Sequence, residues 1–422
     1  MKKLLGRLLC LMLVLPVLAI ADDNVEITLW TYPIGSWGNA EAVDQIIANF
    51  NAVHPEIKVN VQYLDYTSGD DQVTTAIEAK TTPDISMEGP ERLVANWGAA
   101  GKMLDISDLW DDAVKADIIA ASPAVEAACK NGEGIYFEYP LCMTTHCMVI
   151  NYNDFEKADA LQYIDEETHT WTTENFLKAL DALNAAGYVP TAVVYCGGQG
   201  GDQGTRALVT NLYSGQFTNA DHTAYTMDSE ANIKALTLLQ TLVNEGKLDA
   251  DPGIVAADEI ALFCNSTISI GFCWNASAAV SNKASLADDV KVFPMAFPSD
   301  NGVPELQGGI WGFGLFDNGD DAKVAAAKAF VKFVCDDPSQ AAASVYASGF
   351  FPTRASLGDV YVDTDKAENG EYAIFMPYLG DYYQVTPNWA AQRTEWWNLL
   401  QRIFTGGDVA TEVAVYTANS NK

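Results

Sequence analysis

The chain has 422 residues, 49% of them hydrophobic and 11% aromatic, and a formal net charge of −32. That apolar content excludes a disordered chain, and charge of this sign excludes general binding to nucleic acid or anionic membrane surfaces, which would repel it. The length allows two domains of ordinary size with filled cores.

Lys2, Lys3 and Arg7 precede an apolar run from Leu8 to Ile20, and Ala19-Ile20-Ala21 sets small residues where a signal peptidase reads. This is the layout of a secretory signal peptide over residues 1–21, and the apolar run is too short to persist as a spanning helix. Cleavage is expected after Ala21, with the product periplasmic or extracellular. Cys10 follows Leu-Leu with no small residue before it, so it makes a poor lipidation site. Seven cysteines remain beyond it: Cys129, Cys142, Cys147, Cys196, Cys264, Cys273 and Cys335. An odd number cannot all pair within one chain, and several lie in apolar runs where a free thiol acts as a small hydrophobe.

Strand-like and helical segments then alternate, which indicates an α/β architecture. Glu26–Tyr32 reads as a buried strand, Asn39–Phe50 as a helix broken by His54-Pro55, and Ile57–Tyr63 as a second strand. Asp71–Ala79 reads as a short helix, and Pro83–Met87 enters a third strand. Thr172–Ala186 has a threonine cap and ends at Gly187, as a helix should. Pro190–Tyr195, Thr267–Cys273 and Val290–Met295 read as strands, Asp228–Glu245 and Asp321–Cys335 as helices. The remainder to Gly407 reads as mostly helical. There is no internal repeat and no obvious linker, so two domains would have to exchange the chain more than once.

Few residues advertise catalysis. There are four histidines and no HExxH, GxSxG or GKS/GKT motif. Cys142, His146 and Cys147 lie close together, but no second pair supplies the missing metal ligands. No metal or other cofactor is expected. Gly197–Gly204 (GGQGGDQG) precedes a helix read as starting near Thr205 and lacks the Lys-Ser/Thr pair of a phosphate loop, so a plain cleft-facing loop is expected. If an anion binds, that helix start with Arg206 is the place to look.

The positive signal is aromatic residues beside turn residues, because flat apolar rings match the C–H face of a sugar while carboxylates and amides take its hydroxyls. Trp37 follows the first strand, Asp65 and Tyr66 the second, Glu88 and Glu91 the third. In open α/β folds ligands sit beyond the carboxyl ends of such strands. Trp274 follows Thr267–Cys273 and precedes Asn275-Ala276-Ser277, so its ring is expected to project from the strand end. Trp311 follows Gly308-Gly309, and Trp389 follows Pro387. Trp396 and Trp397 share a helical pattern with Leu399 and Leu400, so they are expected in the core.

The order of segments resembles the extracellular solute-binding proteins of sugar ABC transporters, the family-1 group similar to maltose-binding protein. The resemblance rests on FNAVHPEIKVNVQY (Phe50–Tyr63), TPDISM (Thr82–Met87), VINYNDFEKADAL (Val149–Leu161), TWTTENFLKAL (Thr170–Leu180), GGIWGFGLF (Gly308–Phe316) and GFFPTRAS (Gly349–Ser356). The chain departs from the family pattern at Ala158-Asp159, where Ala-Gly is usual. The resemblance implies a two-lobe α/β periplasmic-binding-protein fold with a hinge, a ligand cleft between the lobes, and closure recognised by a membrane permease. It divides the mature chain into a first lobe of 22–143 with 295–335 and a second of 144–294 with 336–422. It places His146 in the cleft, a stacking aromatic at Trp274, and ligand contacts at Gly309 and Arg354. The function it implies is capture of a sugar or oligosaccharide by a monomeric, non-enzymatic receptor. The alternatives are an exported carbohydrate-active enzyme, for which 56 carboxylates leave room, or a receptor for glycerol phosphate or a peptide.

Overall fold

The computed structural model describes residues 24–422 apart from 67 and 199. The signal-peptide reading of residues 1–21 therefore lies outside the described residues. Eleven strands are seen among them: β1 (Val25–Thr31), β2 (Ile57–Tyr63), β3 (Ile85–Glu88), β4 (Tyr139–Thr145), β5 (Cys147–Asn151), β6 (Val193–Gly197), β7 (Asp249–Val255), β8 (Ile270–Trp274), β9 (Val292–Met295), β10 (Gly308–Leu315) and β11 (Phe351–Pro352). They form a six-stranded sheet in the order β11-β4-β10-β3-β1-β2, a three-stranded sheet β8-β5-β9, and a β6-β7 pair.

In the large sheet β1 runs parallel to both β2 and β3, with Val25 opposite Ile57 and Leu29 opposite Ile85. Parallel strands need crossover helices, and Ala40–Val53 and Gly69–Ala79 supply them. Asn39 caps the first, accepting the Ala42 N–H at 3.1 Å. β10 returns antiparallel between β3 and β4, with a register shift at Trp311/Gly312. Ile27, Leu29, Ile85, Met87, Phe313 and Leu315 are fully buried along these strands. The helix Asp321–Asp336 packs on β1, β4 and β10.

The chain leaves the large sheet at His146, the single residue between β4 and β5, and enters the antiparallel β8-β5-β9 sheet. It returns between β9 and β10 and stays until Pro352, because β11 pairs with β4. It thus keeps to the large sheet beyond the expected end at residue 335. Thr172 caps the helix Thr173–Ala185, accepting the Asn175 N–H at 3.1 Å. The helices Trp389–Phe404 and Val409–Ser420 pack together, and the former also lies on β6 and β7.

The strand β7 (DADPGIV) carries two acids and Pro252, and in a two-stranded sheet that proline sacrifices little. Residues 355–388, expected to be mostly helical, form only short helical pieces, the longest being Ala367–Gly370 continued by the 3-10 segment Glu371–Tyr378, with breaks at Gly358, Gly380 and Pro387. All seven described cysteines are free and buried.

Candidate functional site

A cavity of about 530 Å³ is lined from one side by Tyr66, Asp70, Glu88, Glu91, Arg92 and Trp311, and from the other by Gly198, Gly200, Gln203, Gln384, Trp389, Arg393, Thr394 and Trp397. The first group comes from the large sheet. β1, β2 and β3 are parallel, so their carboxyl ends share one edge, and the turns after β2 and β3 bring Tyr66 and the Glu88–Arg92 segment together. Trp311 joins from β10 beside the register shift, where a bulge re-aims side chains. The second group comes from the helix Asp202–Leu212, the loop after β6, the helix Trp389–Phe404 and, for Gln384, the short turn Tyr383–Val385, from which its Nε2 donates to Gly308 O of β10 at 2.6 Å. On that last helix Trp389, Arg393 and Trp397 are spaced by four, so they share one face.

Three rings on this lining are backed by a partner. Tyr66 stacks on Tyr32 with centroids 5.2 Å apart and planes at 26°. Trp311 stacks on Phe350 at 4.5 Å and 23°. Trp389 lies against the Arg206 guanidinium, 4.4 Å from the ring centroid. Such rings are presented at fixed angles, which lowers the ordering cost of stacking a flat apolar ligand face.

Charges are arranged in two clusters. Arg92 makes a bidentate pair with Asp70 (Nε–Oδ1 2.6 Å, Nη2–Oδ2 3.0 Å) and donates to Glu88 Oε1 at 2.8 Å. Its guanidinium also faces Tyr32 and Tyr66. Burial pushes the Glu88 carboxyl up, with Arg92 opposing it. For Asp70, burial also raises the carboxyl, but Arg92 overrides it and the net direction is down. Glu91 accepts the Tyr382 hydroxyl at 3.2 Å. Behind this cluster Glu138 is fully buried, neither of its oxygens has a hydrogen-bond partner, and burial raises its carboxyl well above the usual range. On the opposite side Asp202, fully buried, receives Arg393 (Nε–Oδ2 3.1 Å, Nη2–Oδ1 2.8 Å) and pairs with Arg206 at 2.6 Å. The two clusters leave fixed polar groups on both sides of a cavity floored by rings. That combination suits a neutral, polyhydroxylated ligand with apolar faces.

Of the residues singled out in the sequence, Tyr66, Glu88, Glu91, Trp311 and Trp389 come together here. The other expected ligand contacts do not line the cavity. Trp37 is fully buried and meets Phe313 edge-on at 5.1 Å, so it belongs to the core. Trp274 is also a core residue: it is 1% exposed, its Nε1 donates to Tyr372 Oη at 2.8 Å, and Phe263 covers it edge-on. The segment Glu371–Tyr378 closes over the strand end from which the ring was expected to project. Asp65 shapes the turn instead, accepting the Ser68 N–H at 2.8 Å and hydroxyl at 2.9 Å. Arg354 is buried against Tyr139 and bonds Pro140 O and Asp336. Gly309 acts by size, since a Cβ there would lie 2.2 Å from the Trp311 ring. His146 sits at the crossing between sheets, its Nδ1 buried and unpartnered; burial lowers its pKa to about 4. The suggested anion position at Arg206 is filled internally, because the helix begins at Asp202 and that carboxylate takes the arginine.

Asp70, Arg92, Gln384, Arg393 and Thr394 were missed; Trp397, expected in the core, is buried yet also borders the cavity, and Gln203 belongs to the Gly197–Gly204 segment expected to face the cleft. The four-residue spacing from Trp389 to Trp397 was the available signal. A larger apolar cavity of about 610 Å³ lies nearby, lined by residues such as Val94, Ala95, Ala124, Ala127 and Val385. It offers a sugar fewer convergent polar groups and no stacked ring pair. Among the described residues no group of three His, Cys, Asp or Glu could hold a metal ion, and no helix is long and apolar enough to cross a membrane.

Comparison with known proteins bears on the whole chain. A search of curated proteins finds no match. Among solved structures, the cyclic α-maltosyl-1,6-maltose binding protein of Arthrobacter globiformis aligns with TM-score 0.74 at 17% identity, covering 94% of this chain and 98% of the other. The sugar-binding protein MalE of Xanthomonas citri gives 0.73 at 14%, covering 94% and 96%. An ABC substrate-binding protein of Listeria monocytogenes in complex with cycloalternan gives 0.68 at 19%, covering 94% and 98%. At these identities the likeness establishes a shared fold, the two-lobe α/β architecture of substrate-binding proteins. The family model described as bacterial extracellular solute-binding protein matches residues 35–341, and the chain belongs to that family.

Proposed function

We propose that the protein is an extracytoplasmic carbohydrate receptor that captures an oligosaccharide in the 530 Å³ cavity and delivers it to an ABC importer permease. The observation that carries this reading is the set of three backed rings, Tyr66, Trp311 and Trp389, bordered by the Arg92 and Asp202 clusters. Tyr66, Glu88, Glu91, Trp311, Trp389, Gln203, Arg393 and Trp397 are the proposed ligand contacts. Support also comes from the solved relatives, whose names record maltose-type and cyclic oligosaccharide ligands. The division into lobes follows sheet membership: one lobe built on the six-stranded sheet, the other on β8-β5-β9 and β6-β7.

The protein acts as a monomer and performs no turnover. Isothermal calorimetry against mono- and oligosaccharides, including maltose, maltotriose and xylotriose, is expected to give saturable one-site binding to at least one. Incubation with the labelled form of the best ligand should leave it intact. No binding across the panel overturns the receptor reading, and product formation replaces it with an enzyme.

A further inference from the structure

Arg206 presents an unusual arrangement. Its side chain is fully buried, and among the described residues its one charged partner is Asp202, one helical turn earlier. Nε and Nη2 have no hydrogen-bond partner. An arginine taken out of water without hydrogen bonds is costly, so compensation must come from elsewhere. The rings around it provide that: Trp389 at 4.4 Å, Phe217 at 5.4 Å and Tyr383 at 5.5 Å from the guanidinium carbon.

Trp389 needs a support. It is the first residue of its helix, directly after Asn388 in the left-handed region (φ 61°). Its nearest ring neighbour besides Arg206 is Tyr383, tilted at 53° and 6.0 Å away. The first turns of two helices are stapled together around it. Asp202 pairs with Arg206 on one helix and with Arg393 on the other, and Arg393 lies one turn after Trp389. Trp389, Arg206, Asp202 and Arg393 thus close a ring of contacts behind one wall of the cavity.

We propose that Arg206 is a positioning residue for ligand recognition: without reaching the ligand, it holds the Trp389 indole as a preset stacking face. This rests on the receptor reading only for the identity of what stacks. The orientation of the ring is fixed before any ligand arrives, which spares the complex the cost of ordering it.

The test uses the full chain labelled with 5-fluorotryptophan, the Trp389 resonance being assigned by its loss in Trp389→Phe. In ligand-free protein, Arg206→Met is expected to shift and broaden that resonance while leaving those of the core tryptophans Trp37 and Trp274 in place. Arg206→Lys keeps the charge next to Asp202 but not the planar stack, and is expected to restore the signal in part. An unchanged Trp389 resonance in both variants overturns the proposal. Against maltotriose, Arg206→Met is expected to weaken binding roughly tenfold in the wild-type background and hardly at all with Trp389→Ala, since both act through one ring. Equal losses in the two backgrounds overturn it as well. If wild type binds no sugar in the panel, the carbohydrate reading fails, while the ligand-free spectra still decide the role of Arg206.

Discussion

Trp274 and Trp389, both expected to be ligand contacts, should respond to truncation in opposite ways. Trp274 is 1% exposed, packs against Phe263 and donates to Tyr372 Oη. Trp274→Ala removes a large buried side chain and leaves that hydroxyl without its donor, costing about 3–5 kcal/mol. At about 2.1 cal/mol/K per residue, a chain of roughly 400 residues unfolds with an entropy near 0.8 kcal/mol/K, so 4 kcal/mol lowers Tm by about 5 °C if the chain melts as one unit. Trp389 is half-buried at the cavity. Losing its ring face should weaken sugar binding about ten- to a hundredfold, from roughly 1.5–3 kcal/mol of lost apolar contact. The cost in Tm should be about 2 °C or less, because mainly the contact with Arg206 is lost. Differential scanning calorimetry of the ligand-free proteins and isothermal titration with the best sugar measure both quantities. A Trp274→Ala protein with unchanged Tm and a tenfold weaker Kd would refute the assignment of that ring to the core, and the reverse pattern for Trp389 would remove it from the site.

Phe350→Ala takes away the ring behind Trp311 and is expected to weaken binding severalfold with a changed near-UV circular dichroism spectrum; an unaltered Kd would show that the backing is dispensable. Glu138→Gln should leave stability unchanged below pH 4.5, the ordinary carboxyl value, and raise it increasingly above that. The folded protein holds this carboxyl protonated while the unfolded chain releases the proton, so wild type loses up to about 1.4 kcal/mol per pH unit until the folded pKa is reached. Urea titrations at pH 4, 6 and 8 that show a constant gap would contradict the buried neutral state. Small-angle scattering should give a smaller radius of gyration with saturating sugar, because contacts from both walls of the cavity improve as it shuts. An identical profile despite tight binding would argue against a hinge.

The first three strands were readable because β1, β2 and β3 alternate with helices in the pattern of parallel crossovers, and the gathering of Tyr66, Glu88 and Glu91 follows from that geometry. Ring direction was not readable. Trp274 and Trp311 both accompany strands, but one is covered by the distant segment around Tyr372 while the other is re-aimed by a register shift opposite β4. Arg92 and Arg393 were hidden for another reason. Their ion pairs with Asp70 and Asp202 span 22 and 191 residues, so although Glu88–Arg92 and Trp389–Arg393 each show a four-residue spacing, nothing local tells which distant carboxylate each arginine meets.

The seven buried cysteines give the folded chain a chemical silence that its unfolded form lacks. Burial holds the Cys142, Cys273 and Cys335 thiols above their ordinary range, so little nucleophilic thiolate is present. Before folding, these seven sulfurs are accessible, and any pair of them that oxidises would fix segments that belong to separate strands and helices. Folding therefore runs a race against oxidation, and finishing first is its protection. The same contrast turns the thiols into a built-in clock: the rate at which a reagent such as Ellman's captures them reports how often the native structure opens.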